Sequence, residues 1–372
     1  MNRLNCRSRL WSAAALWQLA AMAALSAGGS PPGSTAAASC RGVVSPAGEA
    51  SSQAVRWVLP IGTGERASLD DWCTGVGPAV VAGDILPPDE SPELRELVVI
   101  TWNVHAGGGD ILELVEQLRA GQLTGGRPVE HFVLLLQEAY RRGSLVPAEP
   151  RGLRVARPVR PPRPGDTPLD IVDVAARLQL VLFYVPSMRN GAPQDTDEDR
   201  GNAILSTEPI SELSAIELPF ERQRRVAVTA NVNGRGPDGK PWRLHVTNAH
   251  LENRGGARRL GILSFVSRLR QARQLLRETP VSGPALLAGD LNTWLGFGEP
   301  AYRALTGVFP GEARSDPRPT FGRFLRLDHI LFRVPEAWDQ VTTRLDRFGS
   351  DHHPLFARIS IAPVRASSPV PH

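Results

Sequence analysis

The chain has 372 residues, 42% of them hydrophobic and 22% charged, which excludes a disordered tail protein and a collagen-like fibre. The formal charge is +4, but Arg3, Arg7 and Arg9 lie within the first 27 residues, which hold no acid, so three of the four net charges sit there. Net basicity is therefore no argument for a nucleic-acid partner, and the use of arginine almost throughout, with Lys240 the only lysine, reads as codon bias.

Met1 to Leu10 carry those arginines, Trp11 to Leu25 are almost wholly apolar, and Ser26-Ala27-Gly28 offers small residues for cleavage. This is the pattern of a secretory signal peptide over residues 1–27. An uncleaved anchor is the alternative, although the apolar run is short against the roughly 20 residues that span a bilayer. Ala37-Ala38-Ser39-Cys40 resembles a lipobox, but the Gly/Ser/Pro-rich stretch Gly28 to Ser34 separates it from the apolar run. The expectation is a secreted or periplasmic protein, with a lipoprotein or membrane-anchored one as the alternatives. With Cys6 in the signal segment, Cys40 and Cys73 remain as a natural disulfide pair, closing a loop for about 3–4 kcal/mol; lipidation of Cys40 would forbid it.

Residues 28–93 lack a long periodic segment and read as an extension with little regular structure. The compact domain is expected over 94–362, with 363–372 a disordered tail. Leu97 to Thr101 is a short β-rich run, and Ile111, Leu114, Val115 and Leu118 have helical spacing. Strands follow at Phe132 to Leu136 and Leu180 to Val185, a helix at Pro168 to Leu178, and a hairpin from Val226 to Val246 turning at Asn233 to Lys240. Ala257 to Glu278 is the longest helical pattern, with Leu260, Leu263, Val266, Leu269 and Leu276 on one face and Arg259, Arg270, Arg273 and Arg277 on a solvated one. Strands at Leu286 to Ala288, Leu327 to Phe332 and Leu355 to Ile359 complete an α/β pattern. The arginines at 151, 154, 157, 160 and 163 recur among prolines as an extended strip, which either contacts phosphates or faces water. Asp195, Asp197, Glu198 and Asp199 lack the spacing of a calcium loop and read as a mobile acidic loop.

Polar residues gather where the strands run out: Asn103, Glu138, His250, Asp290 with Asn292, then Asp328 and Asp351 with His352. Strand ends are where α/β sheets build sites, and so many acids, amides and histidines exceed what capping requires. Hard oxygen ligands of this kind suit Mg²⁺, with Mn²⁺ able to replace it, and metal-assisted hydrolysis of a phosphate ester. A zinc site is not expected, since no Cys-x-x-Cys or His-x-x-x-His pair is present. Ala106 to Gly109 lacks the Lys-Ser/Thr of a P-loop and reads as a turn first and a phosphate contact second.

Thr101-Trp102-Asn103, Gln137-Glu138, Gly201 to Ser206, Asn248-Ala249-His250-Leu251, Gly289-Asp290-Leu291-Asn292, Leu327 to Ile330 and Ser350 to Pro354 together resemble, in order, the motifs of the endonuclease/exonuclease/phosphatase superfamily. The resemblance covers Leu97 to Ile361. It implies a four-layer α-β-β-α sandwich, with two mixed sheets face to face, and a divalent-metal phosphoesterase site at one edge. Carried over, Glu138 is the principal metal ligand, with Asn103 and Asp351 beside it. Asp290, assisted by Asn292, orients or deprotonates the attacking water. His352, paired with Asp328, holds the phosphate or moves a proton, and His250 faces it from the other side. Asn202, Asn253, Arg225 and Trp294 are expected to contact substrate, whereas His329 and His353 are structural neighbours.

The superfamily spans deoxyribonucleases, abasic-site endonucleases, sphingomyelinases, inositol phosphatases and deadenylases, and one core does not choose among them. The reading is an exported Mg²⁺-dependent phosphodiesterase, nuclease-like. Phospholipid or inositol phosphate hydrolysis is the alternative, for which exposed apolar loop tips would be the sign; no such tip stands out in the sequence. Arg222, Arg224 and Arg225, and Arg254, Arg258 and Arg259, are the groups that would line a polyanion. A noncatalytic binding protein on the same fold would show gaps in the motif set, and none is evident.

Overall fold

A computed structural model describes residues 39–83, 92–148, 168–190, 197–253, 264–311 and 316–361. The signal segment, the arginine-proline strip, Arg254 to Arg259, Leu260, Leu263, Asp195 and the tail lie outside these residues. In chain order the elements are β1 (Val43–Val44), β2 (Arg56–Val58), α1 (Thr63–Cys73), β3 (Ala79–Ala82), β4 (Glu96–Asn103), α2 (Ile111–Arg119) and β5 (Phe132–Arg142). There follow α3 (Ile171–Leu178), β6 (Val181–Arg189), β7 (Glu198–Ser206), β8 (Ile210–Glu217), β9 (Val226–Arg235), β10 (Pro241–His250) and α4 (Phe265–Glu278). The last are β11 (Ala285–Asp290), α5 (Pro300–Thr306), β12 (Asp328–Arg333), β13 (Asp339–Arg344) and β14 (Leu355–Ser360).

The strands form two mixed sheets, one of eight in the order β1-β3-β6-β7-β5-β4-β14-β13 and one of six in the order β12-β11-β10-β9-β8-β2. Alternation along each strand decides the layers. Leu97 and Val99 of β4, Val133 and Leu135 of β5 and Ile204 of β7 share one core with Val246 of β10, Leu286 and Ala288 of β11 and Ile330 of β12, so the sheets pack face to face. The intervening residues, such as Val98, Ile100 and Trp102, turn outward onto Ile111, Leu114, Val115 and Leu118 of α2 and Val174 of α3. On the far side Ala249, Leu287 and Leu331 meet Ala272 and Leu275 of α4 and Leu305 of α5. Because both faces of the central strands are covered, β4 and β5 read as continuous apolar runs instead of alternating ones. The four-layer α-β-β-α architecture is the one the resemblance implies.

Three readings of the sequence are corrected. The segment before the domain is built into both sheets, β1 and β3 at the edge of the first and β2 at the edge of the second, with Cys40 bridged to Cys73 at the end of α1. Strands of two to four residues carry too little periodicity to be read, and their pairing, parallel for β1 with β3 and for β2 with β8, is non-local. In α4 the expected apolar face is not the buried one: Val266 is 55% exposed, while Arg268, Gln271 and Gln274 are buried. Arg268 satisfies this burial through Glu299 at 2.9 Å, a pairing that hydropathy does not register. The acidic run is no loop at its C-terminal end, because Glu198 opens β7 and Asp199 is buried, accepting from Tyr184 Oη at 2.8 Å and from Arg141 Nε at 3.0 Å.

Candidate active site at one edge of the sandwich

The inward rows that are apolar through the core turn polar at one edge. Along β10, Val246 is followed on the same face by Asn248 and His250; along β11, Ala288 gives way to Asp290; along β12, Ile330 is preceded by Asp328. Register aligns the last of these, His250 opposite Asp290 and Asp290 opposite Asp328, so three strands set them in a row. The first sheet answers with Asn103 at the end of β4, opposite Gln137 of β5. The two sheets are joined by amides at this edge. Gln137 Nε2 donates to Asn248 Oδ1 at 2.7 Å, and Asn248 Nδ2 donates to the carbonyls of Leu136 and Ala203 at 2.8 and 2.9 Å.

Backbone irregularities aim the side chains. Glu138 does not follow the end of β5 but interrupts it, at a bulge between Leu136 and Ala139, with a φ of +54°. A non-glycine residue in the left-handed region is uncommon, and the extra residue re-aims the Glu138 carboxylate. Gly289, one residue before Asp290, has a φ of +144°, and a Cβ there would stand 1.8 Å from the Ala249 carbonyl oxygen, so only glycine allows β10 and β11 to approach.

Asp290 is the centre of the cluster. Its Oδ2 accepts from Asn103 Nδ2 at 3.0 Å and lies 3.3 Å from His250 Nε2 and 3.8 Å from His352 Nε2; its Oδ1 accepts from the Asn292 amide at 3.0 Å. Asn292, itself at a φ of +50°, donates its side-chain amide to the Leu251 carbonyl at 3.1 Å. His352 Nδ1 lies 2.8 Å from Asp328 Oδ2, and the Asp328 and Leu327 amides are held by Thr320 Oγ1. Ser350 fixes the last loop, donating to the Asn103 carbonyl at 2.7 Å and accepting from the His352 amide at 3.1 Å.

Burial and neighbouring charge divide the protons among these groups. Burial pushes the Asp290 carboxyl up to about 7, aided by the Asp328 charge and opposed by His352. Burial alone would lower His352, but Asp328 and Asp290 override it and hold the imidazole cationic, up to about 10. His250, buried and facing Arg225 and His352, is driven well below the ordinary histidine value and is neutral. Two histidines in opposite charge states thus flank one carboxylate oxygen.

A narrow cleft beside the cluster, of only about 10 Å³, is lined by Glu138, Ser187, Met188, Arg200, Asn202, Arg225 and His250. Glu138 is met by Arg200 Nη1 at 3.3 Å, and Asn202, which lies within β7 and caps nothing, donates to the Val226 carbonyl at 2.7 Å. Asp351 stands 3.1 Å from His105 Nδ1, which offsets the effect of burial and lowers the carboxyl; the His105 amide in turn donates to Asn103 Oδ1 at 3.1 Å. Arg200, His105 and Thr320 were not singled out in the sequence, because they act on groups distant in the chain and belong to no motif; Ser350 stands in the last motif, but with no role assigned to it. Arg224, expected to face a polyanion with Arg225, instead turns inward and pairs with Glu217. The side chains of Asn253 and Trp294 make no hydrogen bond to the cluster among the described residues.

Carboxylate and amide oxygens are the donors that a hard divalent cation takes, and Glu138, Asn103 and Asp351 carry them, with Glu138 and Asp351 retaining solvent access. Asp290, Asp328 and His352 also lie close enough together to enclose an ion.

The profile of the Endonuclease/Exonuclease/phosphatase family matches residues 100–352. An endonuclease/exonuclease/phosphatase from Beutenbergia cavernae aligns at 20% identity and a TM-score of 0.49 over 72% of each chain. A family protein from Leptotrichia buccalis aligns at 15% and 0.48 over 71% of this chain and all of its own, and sphingomyelinase C from Streptomyces griseocarneus at 17% and 0.42 over 71% and 99%. No curated protein matches the sequence. On the family profile, which takes in every member of the cluster from Asn103 to His352, the chain belongs to the endonuclease/exonuclease/phosphatase family.

Proposed function

We propose that the chain is an exported phosphodiesterase that uses Mg²⁺ and in-line attack of water on the phosphate. The observation that carries this reading is the convergence on Asp290 of a neutral and a cationic histidine, with Asn103 and Asn292 fixing its two oxygens. Asp290 accepts the proton of the attacking water at a carboxylate whose raised value suits a base near neutral pH. His352, kept cationic by Asp328, directs Nε2 at the phosphate, and His250 donates from the opposite side. Glu138, Asn103 and Asp351 would hold the metal, which supplies polarisation of the phosphoryl oxygens. Export is supported by the apolar N-terminal segment and by the Cys40 to Cys73 bridge, which leaves Cys40 no thiol for lipid.

The test is nicking of supercoiled plasmid by the mature protein in Mg²⁺ and in EDTA, beside Asp290→Ala and His352→Ala. Metal-dependent nicking lost in both variants supports a nuclease; no nicking by folded protein moves the substrate to phospholipids and small phosphodiesters.

A second reading, a phospholipid substrate, is favoured by side chains whose exposure the sequence did not reveal. Phe324 is 87% exposed, Phe297 59% and Leu295 43%. They lie on two loops that adjoin through Thr293 Oγ1 and the Arg326 carbonyl, 2.9 Å apart, directly after Asn292 and directly before Asp328. Apolar tips beside a catalytic edge suit insertion among acyl chains. Phe324→Ser would then reduce sedimentation with sphingomyelin and phosphatidylcholine vesicles; sedimentation equal to that of the parent removes this reading.

A further inference from the structure

One chain of ion pairs and hydrogen bonds, half-buried at Arg41 and fully buried from Glu217 onward, runs from the disulfide-closed N-terminal segment to the wall of the cleft. Arg41, adjacent to Cys40, donates from Nε and Nη2 to the two carboxylate oxygens of Glu217 at 3.2 and 2.8 Å. Its third nitrogen, Nη1, lies 2.7 Å from Asp70 of α1, the helix that ends at Cys73, so the disulfide and this ion pair close the same loop. Glu217, fully buried at the end of β8, accepts from Arg224 Nε and Nη2 at 2.9 and 2.6 Å. Arg224, equally buried, donates onward from Nη1 to the carbonyls of Pro186 and Ser187 at 2.7 and 3.4 Å. Ser187 Oγ accepts the Val226 amide at 3.2 Å, and the Val226 carbonyl holds Asn202. The last links, Ser187, Asn202 and Arg225, line the cleft with Glu138 and His250.

The charges explain why the first link matters. Two guanidinium groups share one carboxylate, and Glu217 is held below the usual carboxylate range by Arg224 and Arg41 against the cost of its burial. Arg224 contacts Oε1 through both nitrogens, so without Arg41 the Oε2 oxygen loses its donor and the carboxylate is free to shift and to carry Arg224 with it.

We propose that Arg41 is a positioning residue for the catalytic cleft: through Glu217 and Arg224 it fixes the Pro186 to Met188 strand end and Arg225, and the Cys40 to Cys73 disulfide keeps it in place. The N-terminal segment is thus part of the working enzyme. This inference rests on the phosphodiesterase reading for its kinetic arm only.

The experiment compares the full mature chain with Arg41→Ala, Arg41→Lys, the parent reduced by a phosphine, and Arg56→Ala. Arg56 also ties the segment to the rest of the fold, at 3.0 Å from Glu278 at the end of α4 and 3.3 Å from Ser214 Oγ in β8, but it touches neither Glu217 nor Arg224. Hydrogen exchange is read by mass spectrometry over residues 184–190 and 224–228. Exchange there is expected to rise at least fivefold in Arg41→Ala and in the reduced protein, to recover in part in Arg41→Lys, and to stay at the parent level in Arg56→Ala. Unchanged exchange in Arg41→Ala, or an equal rise in Arg56→Ala, overturns the proposal. With bis(p-nitrophenyl) phosphate and Mg²⁺, Arg41→Ala is expected to raise KM about tenfold with kcat within threefold of the parent. A fall in kcat at constant KM also overturns it. If the parent hydrolyses no phosphodiester, the functional reading fails while the exchange arm still decides this one.

Discussion

Asp328 Oδ2 lies 2.8 Å from His352 Nδ1, and these two residues come from opposite sheets, Asp328 opening β12 of the second and His352 preceding β14 of the first. The pair therefore closes the sandwich at its catalytic edge and sets the charge of the imidazole. Asp328→Asn keeps the shape and removes the charge. In the active enzyme kcat should fall by about 10²-fold or more, and the alkaline limb of the pH–rate profile should move down from near 10 toward the ordinary histidine value. A limb that stays in place would separate His352 protonation from turnover. Because its folded value is raised, His352 contributes stability that is complete below about pH 6.5 and is lost as pH rises through about 10.

The amide bridge between Gln137 and Asn248 carries stability without charge. Each single alanine substitution leaves buried partners unsatisfied and should cost about 1–3 kcal/mol. Gln137→Ala with Asn248→Ala should cost less than the sum, as for residues in direct contact. Urea denaturation of the three variants checks this, and strict additivity would show that the bridge does not join the sheets energetically.

Gly289→Ala places a Cβ 1.8 Å from the Ala249 carbonyl oxygen, a backbone atom that cannot swing aside. Forcing β10 and β11 apart at that point should lower the thermal midpoint by several degrees and misplace Asp290, so activity should be lost even where the chain folds. Gly298→Ala, which has open space around its Cβ, is the control expected to match the parent.

His245, in β10, meets Asn231 Oδ1 at 3.1 Å, and burial lowers its value to about 4. For a base whose folded value lies below its unfolded 6.5, the stabilising contribution is complete above about pH 6.5 and is lost as pH falls through about 4. The loss should amount to no more than about 3 kcal/mol. His245→Asn should flatten the stability difference between pH 7 and pH 4; an unchanged slope would assign acid lability to other groups.

The sequence by itself determined which strands exist in the core, because covered strands such as Leu97 to Thr101 and Phe132 to Leu136 are apolar on both faces and stand out from their surroundings. It also marked where the polar residues of the candidate site fall, since Asn103, His250 and Asp290 each end an apolar run and local chain order suffices to see that. The tertiary structure alone decided what depends on register and on partners distant in the chain. The bulge that interrupts β5 at Glu138, the Arg200 that meets it, and the polar buried face of α4 have no local signature, since each is stabilised by a group tens of residues away. The same holds for the N-terminal segment: β1 to β3 are too short for a hydrophobic period, and only pairing with β6 and β8, together with Arg41 on Glu217, makes them part of the fold.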